Sequence, residues 1–190
     1  MAFKILIEIS ARHVHLSQKD LEKLFGKKYK LTPFKKLTQP DQFAAKETLD
    51  IQKDDKKISK VRIVGPVRKK TQVEISLTDA FDLGLEPPIR ESGNLERSPG
   101  ILLIGHKGKL NLKEGVICPW RHIHLSPKEA NRLKVKKNDF VSLKINGKRK
   151  ITFHNVQVRV GKNYRSCVHL DTDEGNAAGI IKKDFGELIL

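Results

Sequence analysis

Two stretches of this chain carry the same residues in the same order, and both are equipped for metal chemistry. Arg12-His13-Val14-His15-Leu16-Ser17 returns as Arg121-His122-Ile123-His124-Leu125-Ser126. Each follows an apolar, β-prone run and reads as a strand, on which residues two apart point to one side. His13 and His15 then share a face, while Val14 and Leu16 turn the other way into a core. Paired imidazoles on a rigid strand are a good start on a first-row metal site.

The third ligand of each site emerges from comparing strand ends. Four segments share a plan of strand end, core Leu, Ser/Thr/Asp cap and helix start: His15 to Asp20, Ser76 to Ala80, His124 to Glu129 and His169 to Glu174. Ser126 with Glu129 fits a capping box, and Pro127 suits the first helical position. In this alignment Glu74 falls in the slot of His13 and His122, and His169 in the slot of His15 and His124. The chain therefore offers two triads, His13/His15/Glu74 and His122/His124/His169, which use five of its seven histidines. Three protein ligands with one open position is the arrangement of a catalytic metal. Zinc suits these donors, and cobalt or iron would serve as well. His106 and His154 fall outside the pattern, beside turns, and read as surface residues. Cys167 shares the strand face of His169 and reads as a small buried filler rather than a thiolate ligand, since free cysteine is so often buried.

The elements that must position these residues are short. Lys4–Ile9 is predicted to be a strand, and residues 18–25 a helix capped by Ser17 and stopped by Gly26. Residues 26–46, with Pro33 and Pro40 and no clear period, read as an insertion of loop and short strands. Strands are predicted from Glu47 onward, at 48–51, 58–64, 71–77, 101–104, 109–112 and 116–118. After the second histidine pair and its helix, strands are expected at 140–145, 150–153, 156–160 and 166–170, with a hairpin signal at Asn146-Gly147. Many short strands with few helices predict a mainly β fold: two small β-barrels related by internal duplication and capped by short α-helices. The first would span residues 12–119 and the second 120–190.

Composition narrows the setting. A chain of 190 residues is long enough to bury a proper core, and its apolar runs are far too short for a membrane span. Two cysteines make no disulfide framework, which together with the lack of a signal-peptide pattern predicts a reducing cytoplasm. The net charge of +16 asks for polyanionic partners. Nucleic acid is not expected, because only 6% of residues are aromatic and no zinc-finger or stacking pattern accompanies the charge.

Further motifs lie in a fixed order around the histidine pairs. Phe43-Ala44-Ala45-Lys46-Glu47-Thr48 precedes Gly65-Pro66-Val67-Arg68-Lys69-Lys70-Thr71-Gln72-Val73-Glu74-Ile75-Ser76; Arg90-Glu91-Ser92-Gly93 and His169-Leu170-Asp171-Thr172-Asp173-Glu174 follow. Over nearly its whole length the chain resembles the phosphate propanoyltransferases, the phosphotransacylases of propanediol-utilisation type. The resemblance implies two small β-barrels with helical caps, two zinc ions per chain, and coenzyme A as substrate. It implies that the N-terminal strand, residues 2–11, completes the C-terminal barrel. Carried over residue by residue, one zinc site matches His13, His15 and Glu74, the other matches His122, His124 and His169, and the phosphate-contacting arginine matches Arg68. Departures are Ala11 where Asn is usual, Trp120 where a small residue is usual, and Gly175 where Ala is usual.

The implied reaction interconverts acyl-CoA plus phosphate and acyl phosphate plus CoA, with propanoyl or acetyl as the acyl group. Its partners are CoA or acyl-CoA and phosphate or acyl phosphate; a homo-oligomer is compatible with this, and no membrane is involved. The rival chemistry for such a metal pair is hydrolysis of a phosphoester or thioester by metal-bound hydroxide. A basic scaffold with structural metals is a third reading. Because the chain enters its first strand at once, the expected location is cytoplasmic and outside a microcompartment.

Overall fold

A computed structural model describes residues 3–180 and 183–190. In chain order the elements are β1 (Phe3–Ile9), β2 (His13–His15), α1 (Gln18–Phe25), β3 (Pro33–Lys36), β4 (Phe43–Lys53), β5 (Lys56–Gly65), β6 (Gln72–Glu74) and α2 (Leu77–Leu83). There follow β7 (Ile89–Arg90), β8 (Ile101–Ile104), β9 (Lys109–Leu112), β10 (Val116–Pro119), β11 (His122–Leu125) and α3 (Pro127–Leu133). The chain ends with β12 (Phe140–Ile145), β13 (Ile151–Val160), β14 (Cys167–Leu170), α4 (Thr172–Ala178) and β15 (Asp184–Ile189). The protein is mainly β with four short helices, as the strand signals predict. Among the described residues, no helix is long and apolar enough to cross a membrane.

Two compact units divide these elements. The N-terminal unit comprises Arg12–Leu37 and Asp41–Pro119, and the C-terminal unit comprises the segment up to Ala11, Thr38–Pro40 and Trp120–Leu190. The C-terminal unit is a closed barrel with strand order β1-β14-β11-β13-β12-β15. Its N-terminal counterpart is a nine-stranded half-barrel in the order β7-β10-β6-β2-β5-β4-β8-β9, with β3 paired to β4. Within each unit the histidine-bearing strand lies antiparallel to one neighbour and parallel to the other. The frame β6-β2-β5-β4 thus matches β14-β11-β13-β12 strand for strand. The strand preceding each histidine pair in sequence, however, belongs to the opposite repeat: β1 lies parallel to β14, and β10 parallel to β6.

Alternation decides what faces the core. Val14, Leu16, Ile63 and Val73 fill the N-terminal interior, joined by Leu21, Leu24 and Phe25 from the apolar side of α1. Ile123, Leu125, Val158, Val168 and Leu170 do the same in the barrel, with Ile5 and Ile7 from β1. The histidines, one residue out of phase with these core positions, occupy the opposite faces of the same strands. Their backbone is fixed on both sides by ladder hydrogen bonds, so the imidazoles start from rigid positions.

Helix caps correct one detail of the fourfold alignment. Ser17, Ser76, Ser126 and Asp171 are the four N-caps, and the last three form capping boxes with Asp79, Glu129 and Glu174. Ser76, not Thr78, is therefore the cap of α2, and Leu77 is an exposed first helical residue rather than a core position. The carboxylate of Asp79 decides the matter, because it stands three residues after Ser76. With the caps aligned, Glu74 and His169 both precede the cap by two residues and so occupy one equivalent slot.

Strand limits also differ, first at 71–77, where β6 covers only Gln72–Glu74 and α2 already begins at Leu77. The β4 strand begins at Phe43, inside the predicted insertion, because β3 and β5 pair with it from either side. The two strands expected at 150–153 and 156–160 are one strand, β13, with a bulge that places Asn155 at φ 57°. Gly175 has a packing reason: a Cβ there would stand 2.6 Å from Ile9 Cδ1.

Candidate metal centres

In the N-terminal unit, antiparallel pairing of β2 with β6 sets His13 opposite Glu74 and His15 opposite Gln72. Three donor atoms converge: His13 Nε2 lies 3.2 Å from His15 Nε2 and 3.5 Å from Glu74 Oε2, and His15 Nε2 lies 3.8 Å from Glu74 Oε1. Bonds of about 2.0–2.2 Å around a tetrahedral ion require donor–donor edges of roughly 3.3–3.6 Å. This set fits a divalent cation with little adjustment. His15 Nδ1 donates to the Val64 carbonyl at 3.0 Å, which leaves the lone pair on Nε2, facing the other donors. Burial, aided by the neighbouring His13 and Arg68, depresses the His15 pKa to about 3. Burial alone would raise the pKa of Glu74, but His13, His15, the Ser92 hydroxyl and Arg68 hold it at about 2. At neutral pH the set is thus a carboxylate beside a neutral imidazole.

Behind the donors runs a hydrogen-bonded chain. Ser92 Oγ donates to Glu74 Oε1 at 2.8 Å, Gln72 Nε2 donates to Ser92 Oγ at 2.7 Å, and Arg68 Nη1 donates to the same oxygen at 2.9 Å. The Arg68 amide donates to the Leu16 carbonyl at 2.8 Å, fixing the loop that carries the guanidinium beside β2. Arg68, for which the sequence motif alone offered a role in phosphate binding, is therefore tied through Ser92 to the carboxylate of this centre.

The C-terminal barrel repeats the arrangement with different chemistry. Antiparallel β11 and β14 set His122 opposite His169 and His124 opposite Cys167. His122 Nε2 and His124 Nε2 are 3.1 Å apart, and the His169 ring lies 5.1 and 5.0 Å from theirs, centre to centre. His122 Nδ1 donates to the Trp120 carbonyl at 2.8 Å, while the buried His124 Nδ1 has no hydrogen-bond partner among the described residues. Burial pushes His122 well below the usual imidazole range and His124 to about 3, with Arg159 and His169 adding to the effect. His169 behaves in the opposite way. Burial works against its charged form, yet Cys167 and Glu8 raise its pKa to about 9, and in return Glu8 is held at about 2.

All six predicted ligands are therefore placed in two groups, His13/His15/Glu74 and His122/His124/His169, each with its donor atoms close enough to share an ion. His106 and His154 stand apart and exposed, and His154 Nδ1 is 2.8 Å from Ser142 Oγ. Sequence reasoning missed Gln72, Ser92, Glu8 and Arg159. The Glu8 side chain stands opposite His169 on the adjacent strand, and the buried Arg159 opposite His124. A charged residue interrupting an apolar β run, as in Ile7-Glu8-Ile9 and Val158-Arg159-Val160, was the available signal.

A family model described as phosphate propanoyltransferase matches residues 6–181. A phosphate propanoyltransferase of Thermotoga maritima is 52% identical over 175 residues, covering 92% of this chain and 83% of the relative. Those of Lachnoclostridium phytofermentans and Listeria monocytogenes are 49% and 44% identical; they cover 94% and 96% of this chain, and 84% and 86% of their own lengths.

Proposed function

We infer the reaction from one premise: this chain belongs to the phosphate propanoyltransferase family and is an acyltransferase that uses phosphate. The reaction is acyl-CoA plus phosphate giving acyl phosphate plus CoA, and its reverse, dependent on divalent metal. A phosphate oxygen attacks the thioester carbonyl carbon, the C–S bond breaks, and the CoA thiolate leaves. The observation that carries this reading is the N-terminal centre, where three donors at cation-binding spacing are joined through Ser92 to Arg68.

The protein's own residues supply three things. His13, His15 and Glu74 hold one cation, and His122, His124 and His169 hold the second; zinc is the ion that these donors suit best. Bound divalent metal supplies positive charge that stabilises thiolate and a developing oxyanion. Arg68 binds phosphate through its planar two-point fork, and Ser92 and Gln72 keep that fork and the Glu74 carboxylate in register. The high positive charge of the chain draws in CoA and acyl phosphate, both polyanions.

A thiol-release assay with acetyl-, propanoyl- and butanoyl-CoA tests this directly. Release should require phosphate, disappear after chelation and return with zinc. Release with water alone would make the protein a hydrolase, and release after exhaustive chelation would remove metal from the mechanism.

A further inference from the structure

A second donor group lies on the C-terminal barrel beside the imidazole triad. Glu8 on β1 and Cys167 and His169 on β14 bring a carboxylate oxygen, a sulfur and a ring nitrogen together. Cys167 Sγ is 3.3 Å from His169 Nε2, Glu8 Oε2 is 3.5 Å from the same nitrogen, and sulfur and oxygen are 3.9 Å apart. The edges of the N-terminal set are 3.2, 3.5 and 3.8 Å. Zinc–sulfur bonds are longer than zinc–nitrogen bonds, about 2.3 against 2.0–2.1 Å, so a set containing sulfur should be slightly the larger.

The surroundings sort these atoms for ligation. Thr38 and Lys183 both engage Oε1 of Glu8, which leaves Oε2 facing Cys167 and His169. Gln39 Nε2 donates to Cys167 Sγ at 3.1 Å while the thiol donates to Glu8 Oε2, so loss of that proton on cation binding would leave a sulfur already held by one donor. Cys167 is completely buried, and a buried filler needs neither a hydrogen-bond donor nor a carboxylate beside it.

We propose that Cys167, as thiolate, and Glu8 bind a thiophilic divalent cation together with His169, a sulfur-containing seat that is an alternative to the one His169 shares with His122 and His124, since one Nε2 lone pair serves a single ion. Ligation releases the thiol proton, and any proton on His169, to solvent. The site would favour zinc, cobalt or cadmium over magnesium or calcium. This rests on the reading that the chain holds metal at its histidines, but it adds a ligand type that neither histidine triad contains.

Cobalt(II) loading of the full chain in thiol-free buffer tests it, because thiolate ligation gives an intense near-ultraviolet charge-transfer band that imidazole and carboxylate cannot give. The band should appear at full intensity in the wild type and Cys118→Ser and be lost completely in Cys167→Ser. As the chain has two cysteines, a band retained in Cys118→Ser assigns the ligand even if Cys167→Ser does not fold. Bound cobalt with weak visible bands only would overturn the thiolate ligand and leave the imidazole sites standing. Failure to bind cobalt at all would overturn both. Loss of the band in Cys118→Ser would overturn the assignment to Cys167.

Discussion

Where the N-terminal centre has Glu74 opposite its first histidine, the C-terminal centre has His169; where the first has Gln72 opposite its second histidine, the other has Cys167. One strand further out, Ile117 lies beside Glu74, whereas Glu8 lies beside His169. On the other flank Arg62 stands opposite His13, and Gln157 opposite His122. The strand frame thus repeats the donor geometry while the charges move around it. Each centre keeps one carboxylate. In the N-terminal centre the repeat's own strand supplies it; in the C-terminal centre it arrives on β1. Ladder register fixes where donors stand, and the neighbouring strand decides their charge.

The largest effects should come from removing one histidine of each pair. His13→Ala and His122→Ala should each cost about a hundredfold or more in acyl transfer, since even the groups that orient metal ligands are worth about 10–100-fold. Elemental analysis should then find one metal per chain instead of two, lost from opposite centres. If both variants shed both metals, the centres are not independent. Arg68→Ala should raise KM for phosphate about ten- to a hundredfold, the worth of a charged hydrogen bond, with metal content unchanged. Arg68→Lys should rescue little, since a point charge cannot replace the fork. Equal phosphate kinetics in wild type and Arg68→Ala would remove this asymmetry between the centres.

Ser92→Ala should weaken metal binding at the N-terminal centre alone, by about tenfold, because Glu74 keeps its carboxylate but loses an orienting donor. Competition against a chromophoric chelator resolves the two affinities; a change at both centres would show that the two centres are coupled. The smallest effect is in the pH dependence of the chelated protein. His15 and His124 resist protonation down to about 3, so stability should fall as pH drops below 6.5, where the unfolded chain takes up those protons. His169 has its pKa raised to about 9, so its contribution is complete below 6.5 and lost as pH rises through 9. That alkaline loss should be confined to the C-terminal centre and reduced in Glu8→Gln, with the remainder owed to Cys167. A melting temperature that is flat from pH 6.5 to 9 in the wild type would break the Glu8–His169 pairing.

Local rules made the donors readable. The alternation that sends Val14 and Ile123 inward forces their neighbouring histidines to the other face, and caps such as Ser126 with Glu129 mark where each strand must end. Ser76 misled because Thr78 offers a second hydroxyl nearby, and only the reciprocal Asp79 contact separates them. Glu8 and Arg159 could be seen as interruptions of apolar runs, but not as neighbours of histidine. Their place depends on which strands pair across the length of the chain, and no local period encodes that. Cys167 illustrates the same limit, for its hydrophobic character was legible and its company was not.

The exchange of first strands has a consequence during synthesis. Ile7 must wait for Val168, and Phe3 for Leu188, before β1 has either of its neighbours. At about 5–20 residues per second, a ribosome takes roughly ten to thirty seconds to deliver them. Throughout that interval β1, apolar and β-prone, is an unpaired strand beside a growing N-terminal unit that has no place for it in its own sheet. Lys4 and Glu8 lie on the face opposite Ile5 and Ile7, and charge on a strand is of the kind that discourages edge-to-edge pairing between nascent chains. The carboxylate that partners His169 in the finished barrel would thus also serve, before folding, as a charge that keeps β1 from pairing with other nascent chains.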